Sequence, residues 1–213
     1  MQIEGRVGPQ VLSVGAQQPP RLANSGDVVT SDGNGRYYEL NYRGYLYTLT
    51  TSAAGYTIVA TTDISPLPQN TGVPIVGVYN PPTSLVNLVI LRVKLSTVSG
   101  TPGGPFAWNV IPSPAAITNA GVQGRNNKTF ALGGSAVGFN SAQAFTASSA
   151  AATMFRTIGG PAAIAAGASM YHVEEETAGD IIVAPGGFAG VAATAVGTTH
   201  VVSASLTWAE IPV

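Results

Sequence analysis

Apolar and polar residues alternate in short runs along most of the chain, and Pro, Gly and Asn clusters separate the runs. Arg36 to Arg43 (RYYELNYR) and Tyr45 to Thr51 (YLYTLTT), divided by Gly44, each place side chains on two alternating faces, the pattern of strands. Tyr56 to Thr62, Val73 to Tyr79 and Ser84 to Val98 continue it, punctuated by Ser65-Pro66-Leu67-Pro68 and Asn80-Pro81-Pro82. In the last of these, Leu91, Val93 and Leu95 share a face opposite Arg92, Lys94 and Ser96, which predicts a half-buried strand. Phe106 to Ile111 lies between Pro102-Gly103-Gly104-Pro105 and Pro112 and predicts another, anchored by Trp108.

Asn140 to Phe155 has the best helix propensity in the chain, with Asn140 as an N-cap, although a strand pair fits it nearly as well. Ile164 to Met170, Tyr171 to Glu176, Asp180 to Ala184 and Thr199 to Val213 complete the strand series. Roughly nine to eleven strands without βα alternation predict an all-β, antiparallel, jelly-roll-like sandwich and exclude a doubly wound nucleotide fold. Residues 1–35 contain Pro9, Pro19-Pro20 and Asp32-Gly33-Asn34-Gly35 with few large apolar side chains. They read as an extended N-terminal arm ahead of a sandwich domain over 36–213.

Composition sharpens this picture. Only 9% of the 213 residues are charged, 9 basic against 10 acidic, while Ser, Thr, Asn and Gln together number 55. An ordinary domain carries about 25% charge. A net charge of −1 argues against nucleic acid as a partner, because counterion release needs a dense cationic surface. With no cysteine there is no disulfide framework and no thiolate chemistry. Thr129 to Phe155 and Ile181 to Ala209 lack Asp, Glu, Lys and Arg, yet their Ala, Gly, Ser and Thr content is too polar for a membrane helix. Burial against other protein is the expectation for them. Met1 to Pro20 shows no signal-peptide pattern, which makes an intracellular origin the simpler expectation.

Candidate chemistry is sparse. On a strand, His172, Glu174 and Glu176 would share a face at about 6.5–7 Å spacing, a weak candidate for a divalent metal; solvated or interface charge explains the same residues. Gly133-Gly134-Ser135-Ala136-Val137 approximates a nucleophile elbow, but the second glycine comes one place late, at Gly138. Gly186-Gly187-Phe188-Ala189-Gly190 lacks the lysine and helix of a phosphate loop and reads as a turn. Asn127-Lys128-Thr129 fits the glycosylation sequon by accident. Tyr37, Tyr38, Tyr42, Tyr45 and Tyr47 suit a protein interface or carbohydrate stacking, or else core and cross-strand packing in a hairpin. No cofactor and no catalytic residue is expected.

Asp180-Ile181-Ile182-Val183-Ala184-Pro185-Gly186-Gly187, a neutral Ala/Thr strand and Val202 to Pro212 (VSASLTWAEIP) together resemble the last strands of β-sandwich virion proteins of tailed bacteriophages, the capsid cement or decoration type. The resemblance implies a non-enzymatic structural protein of the virion, assembled in the host cytoplasm. It further implies a homotrimer bound to the major capsid protein, with neither nucleic acid nor membrane as a partner. A receptor- or glycan-binding head-fibre or tail component is the alternative. A hydrolase would need two carboxylates at working distance, for which Glu174 and Glu176 are the main candidates.

Overall fold

The computed structural model describes residues 37–52, 54–58, 71–72, 74–101, 104–111, 121–140, 145–146, 153–159, 171–193 and 198–213. The chain divides into two units, Met1–Glu39 and Leu40–Val213. The arm expected over residues 1–35 and the strand expected over Ile164 to Met170 lie outside the described residues.

The first expected strand is instead a short helix, α1 (Tyr38–Tyr42). Tyr45 N donates to Leu40 O at 2.9 Å and Gly44 N to Asn41 O at 3.0 Å, with Gly44 at φ +77°. Two such bonds closing over a left-handed glycine form a Schellman cap. Gly44 therefore terminates a helix where the alternation suggested a break between strands.

Thirteen strands follow among the described residues: β1 (Leu46–Thr50), β2 (Tyr56–Thr57), β3 (Thr71–Gly72), β4 (Val76–Tyr79), β5 (Val86–Thr101), β6 (Phe106–Ile111), β7 (Val122–Asn126), β8 (Leu132–Phe139), β9 (Phe145–Thr146), β10 (Thr153–Gly159), β11 (His172–Val183), β12 (Phe188–Ala193) and β13 (Thr198–Pro212). In the region read as helix or strand pair, the described residues are strand (β9 and the start of β10). Asn140 Nδ2 donates to Thr50 O at 2.7 Å, and residues 141–144, which an N-cap at Asn140 would precede, lie outside the described residues.

One sheet runs in the order β10-β6-β12-β4-β8-β7-β1-β13-β5-β11, with β2 beside β13, while β3 and β9 pair separately. All pairings are antiparallel. The terminal strands of this path meet through side chains. Arg156 of β10 reaches Glu175 of β11 at 2.6 Å and Asp180 at 3.4 Å, and Trp108 Nε1 donates to Glu175 Oε2 at 2.8 Å. The sheet thus curls into a near-barrel of antiparallel strands.

Strand alternation fills the interior. Val202, Ala204, Leu206 and Trp208 of β13 meet Leu88, Ile90, Val93 and Leu95 of β5 and Phe106 and Trp108 of β6 in one buried cluster. Leu91 departs from the expected face. Partners on β13 step from Thr207↔Arg92 to Trp208↔Ile90, and those on β11 from Glu176↔Arg92 to Ile181↔Ile90. Leu91 is thus the extra residue of a bulge, buried but shifted out of the alternating row. Opposite it, β11 bulges through Ala178 (φ 55°) and Gly179 (φ 98°), pinned by Thr177 Oγ1 donating to Ile90 O at 2.6 Å.

All six residues of β12 are buried. Phe188 joins Ile111 and Phe139 in a second cluster, meeting the Phe139 ring edge-on at 5.6 Å. Burial of β12 within this one chain accounts for much of the charge-free stretch Ile181 to Ala209, with no neighbouring subunit required. Among the described residues no helix is long and apolar enough to cross a membrane.

Candidate functional site: a neutral groove over β1 and β7

Cross-strand register builds the outer face of the sheet. Leu132, Arg125, Thr48, Thr207, Arg92 and Glu176 stand in successive register from β8 to β11. Over the β1 and β7 part of this face lies a groove of about 1010 Å³, lined by side chains that include Thr48, Thr50, Gln123, Arg125, Asn127 and Phe130. Among the described residues, Arg125 is the single charged residue in the lining. The rest combines amides and hydroxyls with the apolar Leu49, Val122, Phe130 and Leu132, so the groove offers both hydrogen bonds and apolar surface with little electrostatic field.

The β7–β8 connection presents an aromatic ring at this groove. Asn126 Oδ1 accepts from Lys128 N at 3.0 Å and Thr129 N at 3.2 Å, and Phe130 N donates to Asn126 O at 2.8 Å. Asn126 Nδ2 donates to Gly44 O at 2.6 Å, and Arg125 Nη1 to Phe130 O at 3.0 Å. These bonds hold Phe130 at φ 59° with 73% of its surface exposed. Lys128, which follows the lining Asn127, is engaged by α1. Its Nζ donates to Tyr42 O at 2.6 Å and lies 4.9 Å from the Tyr42 ring centroid.

The tyrosines weighed for an interface or for cross-strand packing differ in exposure. Tyr38 and Tyr42 are exposed on α1, and Tyr37 and Tyr45 are half-buried. Tyr47 packs against the interior, stacked on Trp208 at 6.0 Å.

His172, Glu174 and Glu176 do share an exposed face of β11. Their cross-strand partners are Ser96, Lys94 and Arg92. Glu174 pairs with Lys94 at 3.1 Å and Arg92 at 3.6 Å, and His172 Nδ1 lies 3.0 Å from Ser96 Oγ. Among the described residues no group of three His, Asp or Glu could hold a metal ion. Glu174 is thus cation-paired surface charge, and His172 is held by a neighbouring hydroxyl.

The glycine motifs are structural. Gly133 to Val137 belongs to β8, where the Ser135 and Ala136 amides donate to the buried Glu210 carboxylate at 2.8–3.1 Å. Gly186, at φ 87°, turns the chain before β12. Phe130, Arg125 and Glu210 went unnoticed in the sequence. Only the turn-forming Asn126-Asn127-Lys128-Thr129 hinted at the first of them. No protein-family model, no characterised protein and no solved structure matches the chain.

Proposed function

We propose that the chain is a non-enzymatic structural subunit of a bacteriophage particle, a cement or decoration protein that binds the assembled head as a homotrimer on its major capsid protein. In this reading the near-barrel is a variant of the jelly-roll-like sandwich. The observation that carries the proposal is the use made of the ionisable side chains. Glu174, Glu175 and Asp180 are engaged by Arg or Lys, Glu210 by backbone amides, and His200 is buried beside Thr97. These groups are arranged to hold strands together and do not converge on a cleft as acid and base.

Exposed apolar side chains such as Leu85, Ile182 and Val213 supply contact area on an otherwise neutral surface. Neutral contacts are weakly screened by salt. A ligand that binds only the assembled shell stabilises that state by its free energy of association, and a symmetric oligomer multiplies weak contacts into durable attachment. The test is to compare particles with and without this protein. Shells lacking it release DNA at lower temperature, and bound copies are recovered in fixed ratio to the capsid protein. Equal heat resistance, or no association with shells, overturns the proposal.

A further inference from the structure

The groove over β1 and β7 has features that cementing does not require. It is concave, its volume of about 1010 Å³ lies at the upper end of the range for small-molecule pockets, and among the described residues its lining bears the one charge of Arg125. Such a lining does not suit a polyanion, which needs several cations. Gln123 and Arg125 stand two residues apart on β7 and are both exposed, with Asn127 at the adjoining turn. Asn41 also lines the groove, and its Oδ1 is buried without a hydrogen-bond partner among the described residues.

A second, independent observation concerns Phe130. A β-turn that needs a left-handed residue is best served by Gly or Asn. Here the position carries an aromatic residue at φ 59° that is 73% exposed and lines the groove. Strain of this kind in a non-glycine residue points toward function. A flat apolar ring beside amides and hydroxyls matches one ligand chemistry well, that of a sugar, which has an apolar C–H face and a rim of hydroxyls.

We propose that this groove binds an uncharged oligosaccharide, stacking one sugar ring on Phe130 while Gln123, Asn127 and Arg125 hydrogen-bond its hydroxyls. The ligand class is the one expected of a receptor- or glycan-binding component, and the assignment does not depend on the particle reading.

The test is calorimetric titration of the full chain with neutral tetra- to hexasaccharides of glucose, mannose, galactose and N-acetylglucosamine, with a sialylated oligosaccharide and heparin as charged probes. At least one neutral chain binds, with an affinity unchanged by salt. Phe130→Ala weakens that binding by about tenfold or more, as expected for loss of a stacked ring, and Gln123→Ala weakens it several-fold, while both variants keep the parental circular dichroism spectrum. Phe130→Tyr, which keeps the ring, retains binding. Absence of binding across the neutral panel, binding confined to the charged probes, or unchanged affinity in both alanine variants overturns the assignment. Shell occupancy by Phe130→Ala, measured in parallel, reports on cementing separately.

Discussion

The Glu210 carboxylate is braced by the backbone amide of Ser135, whose nitrogen lies 2.9 and 2.8 Å from its two oxygens. Ala136 N adds a contact at 3.1 Å and Trp208 Nε1 one at 3.4 Å. Gly134, at φ 95°, admits the carboxylate; a Cβ there would come within 2.6 Å of Oε1. Since β7 and β1 intervene between β8 and β13 in the sheet, this brace ties two strands that share no backbone ladder.

Replacing that carboxylate tests the brace. Glu210→Gln puts an amide N–H₂ against N–H donors and removes the charge that strengthens their bonds. The unfolding free energy is expected to fall by about 2–3 kcal/mol, seen as a lower urea midpoint at unchanged slope. A midpoint equal to the parent's would show that the carboxylate carries none of the load.

Closure of the sheet depends on Arg156. It joins β10 to Glu175 and Asp180 of β11, and Glu175 also accepts from the buried Trp108. Because the guanidinium is partly solvated, Arg156→Met is expected to cost about 1–3 kcal/mol, between the values for surface and buried pairs. Hydrogen exchange should accelerate in β10 and the facing part of β11 and leave β13 unchanged. Uniform acceleration over all strands would mean that the seam does not close the sheet.

Strands with strong alternation or flanking prolines were readable from the chain. Phe106 to Ile111 coincides with β6, and Thr199 to Val213 nearly with β13. β7 (VQGRN) and β8 (LGGSAVGF) were not, because their glycines answer to distant residues. Gly124 leaves room for the Trp208 indole, which a Cβ would approach to 2.3 Å. Local pattern also cannot separate burial within the chain, as in β12, from burial against a partner. The groove escaped for a further reason. It exists only once β1 pairs with both β7 and β13, a register decided by tertiary contacts.

His200 makes stability depend on pH. It is 1% exposed, stacks on Phe106 at 6.0 Å, and contacts Thr97 Oγ1 through Nε2 at 3.1 Å. Burial pushes its pKa below the ordinary histidine value. The unfolded chain therefore takes up a proton near pH ~6.5, before the folded chain does. Stability is undiminished above that pH and falls as pH drops toward the lower folded value. Urea midpoints measured at about pH 7, 6 and 5 should decline in the parent and decline less in His200→Gln. Parallel slopes would assign the dependence to other groups.

Phe130 separates binding from folding. A left-handed backbone costs an L-residue about 1–2 kcal/mol relative to glycine, and the exposed ring at this position contributes little packing in return. Glycine gains that strain energy but loses about 0.5–1 kcal/mol through its greater freedom in the unfolded chain. Phe130→Gly is therefore expected to match or exceed parental stability by up to about 1 kcal/mol. Phe130→Ala keeps the strain and stays close to the parent. Both lose the stacking surface and with it the affinity for neutral oligosaccharides. Thermal unfolding of the two variants beside the parent checks this, and a marked drop in melting temperature for Phe130→Gly would show that the ring is kept for the fold.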